Sequence, residues 1–553
     1  MVRRRIIFAL SAGTALLLGC GEDAQVTGSG GSTSSAGAGG AGQGGTTTGA
    51  GVGGMGSGGQ GAGATGGGPP MSGDLPIGIP EPSFGWEIDT SGPATLWVDN
   101  QSPSCDDAVG SEAQPYCHLF RGQSSVSYPA GAVVHVLGGP YPIEGDLSLT
   151  FAGTEQAPVI IKGIGDGRIL FDGDGARVSF DWEGSYGVLE NIELFHKTRH
   201  RIVGDHLVFR NVGVTNPVEA RIDFNPVVNV TGHDVLFHRG EIGNNRRDDD
   251  TDSHGIQAGS GSHHVFILEN EIYNNNGDSF QGCHHCFADP PHHIYIGRNV
   301  MHEDRENGVD LKTIHDVVVS ENLMWGYGSS TTSAGDAMVV GSNGFDDSIN
   351  QGPRRVWVLD NTFRDSGRGI RIEGSEDVWV VGNVMEDVGT GLQIDDKSHR
   401  LVVLASNTIR NVSDGVVAWG CQPDSLQLLN NLITGTSSRQ IDVDDCSAAT
   451  LTLHHNLLFA AGGVAVRAAG SNYGDLASLN AASFAAGNVD GDPAFEADGV
   501  VPGASSPAID GGTSLADVYQ SFASSQGGDI ARDRLGTPRP SGSAEDIGAI
   551  ERP

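Results

Sequence analysis

The chain has only four lysines, and one of them lies beside an acidic residue in a polar segment. Lys312 follows Asp310 by two residues, and Asp278 lies upstream of both. Alternate residues of an extended strand face the same side, so Asp310 and Lys312 are expected to be neighbours. A lysine whose pKa is lowered can abstract a proton, and nearby carboxylates can hold a metal ion.

This combination suits removal of a proton from a carbon next to a carboxylate, which is how β-elimination begins on a uronate polysaccharide. We predict Lys312 as the base. Calcium held by Asp278 and Asp310 is predicted to neutralise the substrate carboxylate and so acidify the proton. Arg371 is predicted to bind acidic groups of the substrate; alternatively, it pairs with Glu373.

A second acidic segment lies upstream of these residues. The run from Asp248 to Asp252 includes Asp249 and Asp250. It is interpreted either as a calcium-binding loop or as a solvated turn. His254 follows the run, and it is either a further candidate base or part of a polar wall.

Two other functions are compatible with the same residues. A glycoside hydrolase needs two or three carboxylates about 5–9.5 Å apart, and Asp278, Asp310 and Asp336 are candidates. A non-catalytic carbohydrate-binding or adhesive protein would lose no function on removal of Lys312. The residue types alone do not choose among the three.

An internal repeat predicts the elements that position these side chains. A β-rich run ending in Asn recurs, mostly every 22 to 25 residues, at Asn270, Asn299, Asn322, Asn361, Asn383, Asn407, Asn431 and Asn456. Two or three short strands per repeat fit one coil of a solenoid whose coils stack about 4.8 Å apart. We therefore predict an all-β fold, a right-handed parallel β-helix, with the asparagines forming a ladder at one corner.

Stacking of the coils brings equivalent positions of successive repeats together. The outward positions of the second short strand are predicted to form one column: Gln257, Gln281, Asp310, Val339, Arg371, Gln393, Val417 and Asp442. The residues just before these strands include His254, Asp278, Asn307, Asp336, Arg368 and Asp414. Polar residues are densest between about residues 244 and 316, so the candidate site is expected there.

The N-terminus indicates export. Arg3, Arg4 and Arg5 precede an apolar stretch, residues 6–18, which has the length of a signal-peptide core and is too short to span a bilayer. Of the seven cysteines, six remain after Cys20, an even number that suits an oxidising compartment.

The six cysteines fall into three local pairs: Cys105 with Cys117, Cys283 with Cys286, and Cys421 with Cys446. Cys421 and Cys446 are 25 residues apart, which is one coil, so stacking is predicted to align them for a disulfide. Cys283 and Cys286 are interpreted either as a local disulfide or, with nearby histidines, as half of a zinc site.

Composition divides the chain into four parts. Residues 1–20 are the signal peptide, and residues 21–82 are a Gly-, Ser- and Ala-rich linker predicted to be a disordered tether. Residues 83–487 are predicted to form the β-helix, and residues 488–553 to close its last coil. The net charge of −36 argues against nucleic acid or an anionic membrane surface as a partner. We expect a monomer.

Three segments carry resemblances to known families. Leu17-Leu-Gly-Cys20 resembles the lipobox of bacterial lipoproteins, which implies lipidation of Cys20 and anchoring to the outer membrane or cell surface. Trp97-Val-Asp99 and Asp546-Ile-Gly-Ala-Ile-Glu551 resemble the first coil and the closing tail of many secreted β-helix proteins. Some pectate lyases of this fold use a lysine base beside an aspartate-built calcium site. The resemblance therefore implies a calcium-assisted lyase of acidic polysaccharide.

Overall fold

The computed structural model describes residues 74–196, 198–217, 225–247, 249–330, 333–341, 352–421 and 423–553. In these ranges the chain winds into successive coils of short strands, and each strand pairs in parallel with its equivalent in the next coil. The predicted signal peptide, Cys20 and residues 21–73 of the predicted linker lie outside the described residues.

The strands form three parallel sheets, named A, B and C in their order within one coil. Sheet A contains Leu96–Asp99, Val133–Leu137, Val159–Gly163, His233–His238, His263–Leu268, His292–Gly297, His315–Ser320, Arg354–Leu359, Val378–Val381, His399–Ala405, Pro423–Leu429, Leu451–His454 and Ala485–Ala486. Sheet B contains Tyr141–Pro142, Ile169–Asp172, Glu241–Gly243, Glu271–Tyr273, Val300–His302, Leu323–Trp325, Thr362–Arg364, Val384–Glu386, Thr408–Arg410, Leu432–Thr434 and Leu457–Phe459.

Sheet C carries the predicted site. It contains Ser125–Pro129, Leu147–Ala152, Thr198–Ile202, Val228–Val230, Ile256–Ala258, Phe280–Gly282, Val309–Leu311, Asp336–Gly341, Arg368–Glu373, Thr390–Ile394, Asp414–Ala418, Ile441–Val443 and Val466–Ala468. Two long strands, Val178–Phe195 and Asp205–Thr215, continue round the corners and contribute to more than one sheet.

The predicted asparagine ladder is confirmed at the corner between sheets A and B. The backbone N–H of Asn361 donates to Oδ1 of Asn383 at 2.9 Å. The side-chain Nδ2 of Asn361 donates to the same oxygen at 3.0 Å and to the carbonyl of Val319 in the preceding coil at 2.9 Å. The same pattern continues to Asn488, one coil beyond the predicted series. Each asparagine thus satisfies buried backbone groups of two coils.

The residue before each ladder asparagine makes the corner sharp. Glu321, Ser406 and Asn430 have φ values of 55°, 50° and 54°, in the left-handed region. A single left-handed residue turns the chain between two extended segments. The asparagine that follows then supplies hydrogen bonds which the bent backbone cannot make for itself.

The three predicted cysteine pairs are disulfide-bonded. The Cα–Cα distances are 5.0 Å for Cys105–Cys117, 5.7 Å for Cys283–Cys286 and 4.8 Å for Cys421–Cys446. The third pair joins consecutive coils, as its spacing predicted. Since both sulfurs of Cys283–Cys286 are used in a disulfide, they are not held as half of a zinc site.

Sheet A is covered on its outer face as well as its inner one. Its outward positions form an apolar column in register: Ile160, Val188, Val208, Leu236, Phe266, Tyr295, Val318, Trp357, Trp379 and Val403. Ile77 and Ile79, only 2% and 6% exposed, pack against this column. Residues 74–82, predicted as linker, are therefore part of the packed body, and the predicted boundary lies too far along the chain.

Residues 488–553, predicted to close the last coil, begin at that end of the β-helix, where Val489 pairs with Leu457. That end is covered by Ser471–Tyr473, which pairs antiparallel with Val466–Ala468, and by helix α1 (Leu476–Asn480). The rest of this C-terminal segment runs back along the side of the coils. There, helix α2 (Ala516–Gln526) places Phe522 edge-on to Trp357, with ring centroids 4.9 Å apart.

Among the described residues, no helix has the length and apolar character needed to cross a bilayer.

The ladder predicts a specific loss of stability. Replacing Asn383 by Ala leaves the N–H of Asn361 and the carbonyl of Val358 buried without these partners, at a cost of about 1–3 kcal/mol for each group. We expect the free energy of urea unfolding to fall by at least about 2 kcal/mol. The control Asn472→Ala, at an exposed position, should change it by less than about 0.5 kcal/mol. Equal effects of the two substitutions would contradict the ladder's role.

Candidate functional site

The register of sheet C confirms the predicted outward column. Successive strands align Gln257, Gln281, Asp310, Val339, Arg371, Gln393, Val417 and Asp442 one above another. The column continues to Arg467 in the last strand. Gln281 and Asp310 therefore lie in adjacent coils, whereas Val339 separates Asp310 from Arg371 along this face.

Lys312 and Asp310 form a contact ion pair between Nζ and Oδ2. The Lys312 side chain is 16% exposed and that of Asp310 is 5% exposed, so the lysine covers the carboxylate. Burial lowers the pKa of Lys312, but the charges of Asp310 and Asp278 raise it by more, and the net pKa is raised. The expectation of a lowered pKa for Lys312 is therefore wrong: the carboxylates around it stabilise its charged form.

Asp310 has an unusual environment for a carboxylate. Burial raises its pKa to about 6, against the opposing effect of Lys312. Its second oxygen, Oδ1, is buried and has no hydrogen-bond partner among the described residues. A buried polar atom without a partner costs free energy, and such atoms in native proteins are often kept for a functional reason. The pair thus combines a charged amine with a carboxylate that readily accepts a proton.

Asp278 and His254 lie beneath this pair. Asp278 is fully buried, and its Oδ2 is 3.1 Å from Nδ1 of His254, which is 2% exposed. Burial lowers the pKa of His254, whereas Asp278 and further acidic neighbours raise it, and the net pKa is raised. Asn307 donates to the other oxygen of Asp278 at 2.8 Å. His254 is therefore placed to orient Asp278, and its role as a catalytic base stays a prediction.

Asp336 links two arginines of the following coil. It accepts hydrogen bonds from Arg368, one of them at 3.1 Å, and its Oδ2 is 3.2 Å from Nε of Arg371. Asp336 is 1% exposed, whereas the Arg371 side chain is 27% exposed. Asp336 thus holds Arg371 from below while its outer end reaches the surface.

Arg371 also forms the ion pair with Glu373 that was predicted as its alternative role. Its Nη1 lies 3.3 Å from Glu373 and 3.5 Å from Asp395. Both contacts are partly exposed, so a carboxylate of a ligand can replace them at little cost. The ion pair with Glu373 and a role in binding acidic groups are therefore compatible.

The predicted calcium loop does not reach the pair. Asp249 is exposed and accepts a hydrogen bond from Arg247 at 3.0 Å, and Asp250 is exposed as well. Neither belongs to a close group of possible metal ligands among the described residues. Asp252, at the end of this segment, does approach the site and lies 3.9 Å from Nε2 of His254. These positions fit a solvated turn.

The residues around Asp278 and Asp310 do not match the ligands that calcium prefers. Calcium takes about six to eight oxygen ligands. Here the carboxylate of Asp278 faces an imidazole and an amide, and that of Asp310 faces an ammonium group. Nitrogen groups thus already occupy both carboxylates, and calcium does not fit them in this arrangement.

One buried acid was missed from the sequence. Asp304 accepts hydrogen bonds from Ser279 and from the backbone and side chain of Asn275, and burial raises its pKa to about 7. Asn275 and Asp304 are 29 residues apart, the same spacing as the ladder residues Asn270 and Asn299. This shared spacing could have identified Asp304 from the sequence as the residue stacked on Asn275. Asp304 lies under the site and supports it structurally.

Because Asp336 is buried between two arginines, we expect removal of its carboxylate to destabilise the protein. Removing a buried partner of an ion pair costs about 3–5 kcal/mol, so Asp336→Ala should lower the free energy of unfolding by about that amount. In Asp365→Ala the lost carboxylate is 63% exposed and 3.8 Å from Arg364, and the expected change is below about 1 kcal/mol. Unfolding in urea, followed by tryptophan fluorescence, compares the two. A small loss in both variants would contradict the role of Asp336.

Comparison with known proteins agrees with the fold. Residues 329–474 match the family described as "Right handed beta helix region". None of the curated proteins compared matches the sequence. The structure is similar to the A-module of mannuronan C-5 epimerase AlgE4 from Azotobacter vinelandii, at 16% identity over 54% of this chain and 87% of that chain, with a TM-score of 0.39.

Two further solved structures are similar at the same level. Pectate lyase Pel9A matches at 16% identity over 84% of this chain and 98% of that chain, with a TM-score of 0.38. The surface adhesin PfbA of Streptococcus pneumoniae matches at 15% identity over 57% of this chain and 84% of that chain, with a TM-score of 0.40. The parallel coils and the family match together establish the fold as a right-handed parallel β-helix.

Proposed function

We propose that this protein cleaves a uronate-containing polysaccharide by β-elimination at the Lys312–Asp310 pair on the outer face of sheet C. One observation carries the proposal. The pair joins the amine to a carboxylate with a raised pKa and an unpartnered oxygen, Oδ1. Such a pair can take a proton at one atom and give a proton from another, which an elimination requires.

Arg371 supplies the substrate-binding charge. It lies two coils from Asp310, roughly 10 Å along the helix axis, and its guanidinium leans back by one coil to Asp336. There it can bind the carboxylate of the reacting uronate. Neutralising that carboxylate makes the proton on the adjacent carbon, C5, more acidic and stabilises the charge that develops as the proton leaves.

The reaction begins with a proton shift inside the pair. When the polysaccharide covers the pair and excludes water, the charged forms of Lys312 and Asp310 lose solvation. This loss favours the neutral pair, in which the proton has moved from Nζ to the carboxylate. The raised pKa of Asp310 reduces the cost of that shift.

Elimination then follows without a co-reactant. The amine of Lys312 takes the C5 proton, the electron pair of the C5–H bond forms the C4=C5 double bond, and the C4–O bond breaks. Asp310 gives its proton to the departing oxygen. The pair ends as ammonium and carboxylate, the form in which it began.

We further propose the predicted location for this activity. Lipid on Cys20 would hold the protein at the outer membrane or cell surface, and residues 21–73 would connect it to the body. An exported enzyme meets polysaccharide outside the cytoplasm, which fits the three disulfides.

The first test is an assay of the full-length chain on alginate, pectate and glycosaminoglycans, followed as ultraviolet absorbance of the conjugated uronate. We expect absorbance to rise on one of these substrates, and Lys312→Met to lower kcat by about 10²–10⁴-fold. The control Lys162→Met removes a lysine on sheet A that pairs with Glu190 at 3.0 Å and should leave kcat unchanged.

Each other outcome contradicts the proposal in its own way. New reducing ends without absorbance would indicate a hydrolase, and binding without turnover would indicate a carbohydrate-binding protein. The assay is run with calcium and with a chelator. Activity that depends on calcium would reveal a metal requirement that the described side chains do not explain.

The raised pKa of Asp310 also predicts how kcat/KM depends on pH. The pKa of Asp310 is raised to about 6, so below that pH the carboxylate holds a proton and Lys312 cannot pass its own proton to it. We therefore expect kcat/KM to fall as pH decreases through about 6, because this ratio reports the free enzyme. Asp310→Asn should lose activity at every pH. A profile that stays flat through this region would contradict the assigned role of Asp310.

A further inference from the structure

Sheet A carries a row of histidines on the outer side of the coils, away from the pair on sheet C. The strands His233–His238, His263–Leu268, His292–Gly297 and His315–Ser320 each begin with a histidine, and their first residues are in register. The second residues are Asp234, His264, His293 and Asp316. We call these eight residues the histidine ladder.

The backbone explains why two neighbouring side chains of one strand face each other. Asp234, His264 and His293 have φ values of 52°, 51° and 55°. A left-handed residue breaks the alternation of an extended strand, so its side chain lies beside that of the residue before it. Nδ1 of His263 is 2.8 Å from Nδ1 of His264, and His292 and His293 repeat the contact at 2.7 Å.

The coils stack these imidazoles into parallel rows. The ring centroids of His233 and His263 are 4.6 Å apart with an interplanar angle of 6°, and those of His263 and His292 are 5.0 Å apart with the same angle. The fold therefore fixes the ring orientations, and the nitrogens that face each other across a pair are held in place.

The carboxylate of Asp234 lies close to two of these imidazoles and forms a possible metal-binding set with them. Asp234, His263 and His264 have ligand atoms within 4.8 Å of one another. Asp234 is fixed from the other side, since Ser83 donates to its Oδ1 at 2.6 Å. All three residues are partly exposed, so an ion can reach them from solvent.

A second set, formed by Asp234, His206 and His233, is less suited to an ion. Nδ1 of His206 is 2.7 Å from Asp205, and Nδ1 of His233 is 2.8 Å from Asp234. His206 thus already has an acidic partner, Asp205, outside this set. In His263 and His264, by contrast, the two Nδ1 atoms face each other at 2.8 Å, an arrangement that a shared cation would stabilise.

We propose that Asp234, His263 and His264 bind a divalent transition-metal ion of the zinc class. Imidazole nitrogens with one carboxylate form a typical ligand set for Zn²⁺, and three protein ligands leave a fourth position for water or for a group of another molecule. The site is on sheet A, so it does not depend on the activity proposed for sheet C.

The test uses the full-length chain, purified without a polyhistidine tag and freed of metal with a chelator. Zn²⁺ binding is measured by equilibrium dialysis. We expect saturable binding of one ion. Loss of an outer partner of a metal ligand already weakens binding by roughly 10–100-fold, so Asp234→Asn and His263→Gln should each weaken it by at least that factor. The control His315→Gln, at the same strand position but outside the set, should bind as the unaltered protein does.

A spectroscopic measurement guards against variants that fail to fold. Co²⁺ added to the unaltered protein should give the visible absorption of a low-symmetry site with nitrogen and oxygen ligands, and Zn²⁺ should remove it. Absence of saturable Zn²⁺ binding, or equal affinity in Asp234→Asn, His263→Gln and His315→Gln, would overturn the proposal. The stacked histidines would then serve packing only.

Discussion

The hydrogen bonds that join each ladder asparagine to the next fix the register between coils, and the other features of the structure depend on that register. The amide of Asn383, for example, binds the backbone of the preceding coil through Val358 and the side chain of Asn407 in the following coil. A slip by one residue would leave these buried groups unpaired and would turn every outward side chain inward. Because the register is fixed, residues that are far apart in the chain become nearest neighbours.

Fixed stacking explains the electrostatics of sheet C. Positions that carry like charges would repel one another at coil-to-coil distance, and the sequence places opposite charges in neighbouring positions instead. Asp336 lies against Arg368 and Arg371, and Asp310 against Lys312. The acids are buried and the cations reach the surface.

The register was predictable because a repeated residue type marked it. The spacing of the asparagines predicted the coils, the column through Asp310 and Arg371, and the disulfide between Cys421 and Cys446, all of which the structure confirms. The direction of the pKa shift of Lys312 was not predictable, because it depends on how many buried carboxylates surround one amine.

The course of the tail was not predictable either. It follows from Trp357 and Trp379, which point outward from sheet A and need a cover. Alternation within a strand does not reveal which of two apolar faces a distant segment will bury. The positions of Ile77 and Phe522 over this column therefore emerged only from the packed structure.

We propose that the Lys312–Asp310 pair breaks a glycosidic bond by moving protons, without adding water to the product. The most direct measurement is mass spectrometry of oligosaccharide products formed in water enriched in the heavy oxygen isotope. We expect products that carry one C4=C5 double bond and are lighter by one water than the products of hydrolysis. Products that lack this double bond and carry heavy oxygen at the new reducing end would show hydrolysis and contradict the proposal.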